Sequence, residues 1–148
     1  GQSASDLAVT AFNLNGATMR DAAGNSANTA GAVTNPAGTL AVDTAAPSAT
    51  GVSFGTNDGA LAAGESVTLN VAFSEAVTVA GGTPTLTLNT GGTATYAGGS
   101  GTGTLAFTYT PAAGQSVSDI DFTAFNLTVA TVMNAADNTA NTAGAAGS

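Results

Sequence analysis

Val67-Thr68-Leu69-Asn70-Val71-Ala72-Phe73 decides the fold: a large apolar side chain stands at every second position, with Thr, Asn and Ala between. Successive side chains of a strand point to opposite faces, so a period of two describes a ribbon with one buried face and one wet face. The period returns at Leu86 and Leu88, and at Leu105, Phe107 and Tyr109. Gly81-Gly82, Gly91-Gly92 and Gly98-Gly99-Ser100-Gly101 punctuate these runs as turns. No stretch holds a helical period, and the Ala-rich residues 135–146 are so interleaved with Asn, Thr and Gly that they read as an irregular loop. Strands are predicted at 49–54, 66–73, 84–89, 93–97, 104–110 and 122–132, with residues 38–43 representing a seventh type. Such spacing predicts an all-β, antiparallel β-sandwich of about seven strands. Its core falls to Phe54, Val67, Leu69, Val71, Phe73, Leu86, Leu88, Tyr96, Leu105, Phe107, Phe125 and Leu127.

The chain also repeats itself. Residues 1–32 align without a gap onto residues 114–145, an offset of 113, with 21 of the 32 positions identical. Gly1-Gln2-Ser3-Ala4-Ser5-Asp6-Leu7 returns as Gly114-Gln115-Ser116-Val117-Ser118-Asp119-Ile120, and Thr10-Ala11-Phe12-Asn13-Leu14 returns as Thr123-Ala124-Phe125-Asn126-Leu127. Identity of that extent predicts a tandem array with a period near 113 residues. On this reading residues 1–43 are the C-terminal part of one repeat plus a linker, and residues 44–148 are a nearly complete second repeat without its last strand. The boundary lies near Asp43-Thr44-Ala45-Ala46-Pro47.

Composition removes several functions. The 148 residues contain no Cys, His, Trp or Lys, and Arg20 is the one basic residue against nine carboxylates, a formal charge of −8. A thiol or imidazole nucleophile, an ordinary zinc site and a disulfide framework are therefore excluded. One Arg does not neutralise a phosphate backbone, so no nucleic acid is expected as a partner. An anionic membrane surface repels such a chain, no apolar run approaches the roughly 18–20 residues of a span, and membrane insertion is not expected. The opening Gly-Gln-Ser-Ala-Ser shows neither a basic nor an apolar leader region.

Several motifs carry a resemblance. Val71-Ala72-Phe73-Ser74-Glu75-Ala76-Val77-Thr78-Val79 is followed by Gly82-Thr83-Pro84-Thr85-Leu86-Thr87-Leu88, then Ala94-Thr95-Tyr96, then Gly101-Thr102-Gly103-Thr104-Leu105-Ala106-Phe107-Thr108-Tyr109. With Asp21-Ala22-Ala23-Gly24-Asn25 and the boundary Val42-Asp43-Thr44-Ala45-Ala46-Pro47, this order resembles the bacterial Ig-like, cadherin-like tandem repeats of giant biofilm-associated surface adhesins. The resemblance covers essentially the whole chain. It implies an Ig-like sandwich, an extracellular place on the bacterial cell surface, and a stalk or adhesive array in place of an enzyme. One departure stands out: the second copy has Asn134-Ala135-Ala136-Asp137-Asn138 where the first has Asp21-Ala22-Ala23-Gly24-Asn25, which puts in doubt any role of the leading Asp.

Calcium is the one cofactor these residues point to, since hard cations take several oxygen ligands. In a seven-strand order, the loop with Asp58 and Glu65 and the loop with Asp119 and Asp121 fall at the C-terminal end. The loops with Glu75 and with Asp137 fall at the N-terminal end, beside Asp43. A joint between repeats would gather Asp6, Asp43, Glu75 and Asp137, the arrangement by which cadherin-like arrays stiffen. The alternative is that all these carboxylates are solvated turn residues. No EF-hand loop or glycine-aspartate nonapeptide array is present.

Enzymatic motifs do not hold up. Asp43-Thr44-Ala45 superficially matches an aspartic-protease loop but lies at the repeat boundary, and two such carboxylates are required. A glycosidase carboxylate pair would lack an aromatic sugar platform, with no Trp and two Tyr. The pairs Thr85/Thr87, Thr93/Thr95 and Thr108/Thr110 are too dispersed for an ice-binding face and read as β-propensity on solvent faces. The Gly-rich residues 98–103 have no Lys and no following helix, so they cradle no phosphate. Two functions remain. One is a passive, non-catalytic stalk repeat whose partners are neighbouring repeats. The other is a self-assembling filament subunit, in which identical chains exchange strands by donor-strand β-augmentation.

Overall fold

A computed structural model describes residues 2–55 and 59–145. The chain forms two compact units, Gly1–Ala45 and Ala46–Ser148, and it is nearly all β, with antiparallel sheets of two and seven strands. The first unit holds strands β1 (Ser3–Ala4) and β2 (Val42–Asp43) and a 3-10 turn at Ala30–Ala32. The second holds β3 (Ala49–Phe54), β4 (Val67–Ala80), β5 (Thr85–Leu88), β6 (Thr93–Gly98), β7 (Thr102–Tyr109), β8 (Phe122–Asn126) and β9 (Thr131–Met133), then a 3-10 turn at Ala143–Ala145.

In the second unit the strands run in the order β3-β4-β7-β6-β5-β8, and β9 pairs with the far end of β4. Two tight hairpins join β5 to β6 and β6 to β7. In the second, Gly99 has φ +99° and a Cβ there would strike the Thr104 carbonyl oxygen, so glycine is required. The alternation reads out as predicted: Val67, Leu69, Val71 and Phe73 of β4, Leu86 and Leu88 of β5, and Leu105, Phe107 and Tyr109 of β7 are all buried. Phe107 packs edge-on against Tyr96 at 5.9 Å and Phe125 at 5.4 Å between ring centroids, the favoured aromatic arrangement. The result is the core of an all-β sandwich.

Four sequence expectations need correction. The β4 alternation was expected to stop at Phe73, with Glu75 in a loop, yet the strand continues to Ala80. Glu75 takes an inward position of the same period, and its Oε2 accepts the Asn134 side-chain amide at 3.1 Å, so the charge has a partner and the ribbon carries on. The register against β7 shifts between Ala72 and Val77, a bulge that lets the strand leave β3 and pair with β9 beyond it. The single strand expected at 122–132 is instead β8 and β9, because Thr128 adopts φ +54° and Ala130 N–H closes a turn onto the Leu127 carbonyl at 2.7 Å. Of residues 38–43 only Val42–Asp43 is strand. Phe54, expected in the core, is 41% exposed, while Val77, Phe122 and Val132 are buried core residues absent from the expected core.

Candidate functional site

The predicted ligands divide between local roles. In the first unit the Asp6 carboxylate accepts the Asn35 amide at 2.7 Å and the Leu40 N–H at 3.1 Å. Those two donors, the Asn35 amide foremost, hold the Asp6 carboxyl below its ordinary range by favouring the charged form. Asp43 accepts the Ala45 N–H at 2.9 Å. In the second unit Glu75 and Asp137 do meet the same loop: Glu75 through the Asn134 amide, and Asp137 through its own N–H to the Asn134 carbonyl at 3.2 Å. Asp119 and Asp121 are joined by Asn89, which binds their backbones: its Nδ2 donates to the Asp119 carbonyl at 2.9 Å and its Oδ1 accepts the Asp121 N–H at 3.1 Å. Asp58 lies outside the described residues.

Calcium takes six to eight oxygens. Among the described residues no group of three or more Asp or Glu side chains gathers to hold an ion. Asp6 accepts two N–H donors, and Asp137 contributes to its loop through backbone groups.

The loop around Asn134 is the best-defined polar feature. Asn134 is 4% exposed, and its Oδ1 accepts both the Ala136 N–H at 3.0 Å and the Asn138 N–H at 2.9 Å. Its backbone N–H donates to the Asn138 carbonyl at 3.1 Å. This Asx-type cage ties β9 to Glu75 of β4.

A second feature was not visible in the sequence. The segment Gln115–Asp121, between β7 and β8, borders a cleft of about 460 Å³ lined by Phe54, Leu61, Tyr109, Val117, Asp119 and Ile120 among others. A smaller hollow of about 130 Å³ shares Phe54, Asp119 and Ile120 with it. The Tyr109 hydroxyl, at the cleft wall, sits 2.9 Å from Gln115 Oε1 and 3.0 Å from the Thr90 hydroxyl. Gln115 Oε1 also accepts the Ala112 N–H at 2.9 Å, so the wall is fixed from several sides. Ser116 and Val117 belong to no ladder among the described residues. These residues copy Gln2–Leu7, of which Ser3 and Ala4 pair with β2 in the first unit.

The cleft has no imidazole, thiol or amine, and Asp119 is the one carboxylate among its described lining residues. Comparison with family models, curated proteins and solved structures finds no match to this chain.

Proposed function

We propose that the chain is a non-catalytic structural repeat of an extracellular bacterial stalk or adhesin, in which Ig-like units follow one another and give reach at the cell surface. One observation carries this reading: apolar positions buried in the second unit are exposed at the matching positions of the first. Phe122 is 2% exposed and its counterpart Val9 43%; Val132 is fully buried and its counterpart Met19 47% exposed. The first unit thus carries the closing edge of a sandwich, patterned to pack on a sheet like β3–β7. Apolar side chains placed in that register are driven to bury, at about 25 cal/mol per Å² removed from water. A preceding repeat of the same sequence type supplies that sheet. Residues 1–43 are then the end of one repeat with its linker, and residues 44–148 most of the next.

The surface suits such an array. Thr and Asn cover the outward positions, and Arg20 is the one site for trypsin-like cleavage in an exposed fibre. Each unit adds length, and neighbour contacts set the stiffness.

The test uses the absence of Cys. A Met19→Cys variant places a unique thiol, whose labelling rate is compared with that in a chain carrying a copy of residues 46–113 ahead of Gly1. Burial is expected to slow labelling by about 100-fold, since an opening free energy of a few kcal/mol suffices. Equal rates in the two chains would refute the array reading.

A further inference from the structure

We infer that Asn15 is a self-modification site, at which the main-chain nitrogen of Gly16 converts the Asn15 side-chain amide into a carboxylate. The reaction has two requirements. The amide must be free to turn toward the next main-chain nitrogen, and the next residue must have no Cβ to crowd that approach. Of the twelve Asn in the chain, Asn15 is the one followed by Gly.

The structure separates Asn15 from the others on the first requirement as well. Asn28, Asn134 and Asn141 each have Oδ1 held by the N–H two residues on, at 3.0 Å. Asn25 and Asn35 donate their amides to the carboxylates of Asp21 at 2.9 Å and Asp6 at 2.7 Å. By contrast, the Asn15 side chain and the Gly16 N–H make no hydrogen bond among the described residues. Asn15 at φ +49° and Gly16 at φ +88° form the apex of a turn, closed by Ala17 N–H on the Leu14 carbonyl at 2.8 Å. This apex faces water whatever lies beneath the first unit. At the matching turn of the second unit, which is built on a sheet, Thr128 is exposed and Val129 is 72% exposed. Thr128 and Val129 offer neither an amide nor a glycine, so the site belongs to the first copy alone.

The chemistry uses this chain and water. The Gly16 nitrogen gives up its proton and attacks Asn15 Cγ, forming a five-membered imide. The bond from Cγ to the side-chain nitrogen breaks, and ammonia leaves with the proton. Water then opens the imide. Opening at Cγ leaves an aspartate, and opening at the main-chain carbonyl leaves an isoaspartate, whose backbone runs through Cβ and Cγ. Either product adds one negative charge to a chain that already carries −8. The isoaspartate also lengthens the main chain inside a two-residue turn, which removes the spacing that sets the bond between Leu14 and Ala17. The inference goes beyond the stalk reading and needs neither a second chain nor a neighbouring repeat.

The full chain is aged in mildly alkaline buffer and then cut with trypsin. Cleavage at Arg20 releases residues 1–20, which hold Asn13 and Asn15, from a remainder that holds the other ten Asn. The mass increase of amide-to-acid conversion is expected in residues 1–20 first, and fragmentation is expected to place it at position 15. The rate should rise with pH, because the attacking nitrogen must lose its proton. Asn13→Gln should leave the rate unchanged. Gly16→Val should slow it by about tenfold or more, a barrier rise of about 1.4 kcal/mol. A strained Val at φ +88° loosens the turn, and looseness alone would speed the attack, so a slower rate reads the added Cβ. Conversion that is no faster in residues 1–20 than in the remainder, that falls at position 13, or that is equally fast in Gly16→Val would overturn the site.

Discussion

Residues 14–32 and 127–145 repeat the same backbone hydrogen bonds with 12 of 19 positions identical, and among the described residues only the second segment has buried ones. The hydrogen bonds recur position by position. Ala17 N–H meets the Leu14 carbonyl at 2.8 Å, and Ala130 meets Leu127 at 2.7 Å. Ala27 bonds Met19 at 2.9 Å, and Ala140 bonds Val132 at 2.8 Å. Asn28 Oδ1 and Asn141 Oδ1 each accept the N–H two residues on, at 3.0 Å, at the start of the paired 3-10 turns. Asp21 Oδ1 accepts Ala23 and Asn25 as Asn134 Oδ1 accepts Ala136 and Asn138. Local chemistry therefore writes this backbone wherever the sequence occurs. Burial is added only where β4–β7 lie beneath it.

The copies differ at one informative position. Asp21 turns its second oxygen to its own loop, accepting the Asn25 amide at 2.9 Å. Asn134 turns its amide outward to Glu75. A carboxylate serves where water is the neighbour, and an amide serves where the neighbour is itself a carboxylate.

The sharpest test of this contrast is a matched pair of truncations. Phe122→Ala is expected to cost about 3–5 kcal/mol of unfolding free energy in urea. Val9→Ala, at the matching position, is expected to change it by less than about 0.5 kcal/mol. Comparable costs would mean that the first unit is packed after all.

Swapping the loop residues comes next. Asn134→Asp sets two carboxylates against each other in a buried place and is expected to destabilise by about 2 kcal/mol or more. Glu75→Gln in the same chain should recover most of the loss, because an amide then faces the new carboxylate. Asp21→Asn should stay within about 0.5 kcal/mol. If Glu75→Gln fails to rescue, the Asn134–Glu75 contact is not the reason for the difference.

A smaller effect is expected at the left-handed position shared by Asn15, φ +49°, and Thr128, φ +54°. A β-branched side chain is strained there and Asn is not. Thr128→Asn should therefore stabilise by about 0.5–1 kcal/mol, read as a rise in Tm. A fall would show that the Thr128 side chain makes a contact worth more than the strain.

Acid should separate the copies too. Asn25 hydrogen bonds hold the Asp21 carboxyl below its ordinary range, as the Asn35 amide does for Asp6. A depressed folded value gives stability that is present above the unfolded value of about 4 and lost as pH falls through the folded one. Amide exchange at Ala23 and Asn25 should accelerate below about pH 4, while Ala136 and Asn138, bonded to an amide oxygen, hold to lower pH. Parallel acceleration would contradict the assignment.

The smallest effect concerns calcium. An excess over chelator is expected to leave Tm within about a degree, since a ligand stabilises only what it binds in the native state. A rise of several degrees that vanishes in Glu75→Ala would show that Asp6, Asp43, Glu75 and Asp137 are gathered into a calcium site, as their sequence positions suggest.

Much was legible in advance, for identifiable reasons. The period of two at Val67–Phe73 and Leu105–Tyr109 is a direct record of which face is dry, and the Gly pairs mark turns that other residues resist. Glu75 misled because a charge at an inward position ends an apolar pattern on paper. Its partner is Asn134, 59 residues away, and no local window contains both. Phe54 misled in the opposite sense, since a large apolar residue at a strand end was assigned to the core but borders an open cleft.

By itself the sequence determined the all-β class, the turns and the loop backbones, because those follow from alternation, from glycine stereochemistry and from side chains that bond to residues two and four along. Only the tertiary structure decided which of two related segments has buried residues, which carboxylate receives the Asn134 amide, and that a cleft lies beside Gln115–Asp121. Those outcomes depend on which strands come to lie beneath a segment, a property of distant parts of the chain.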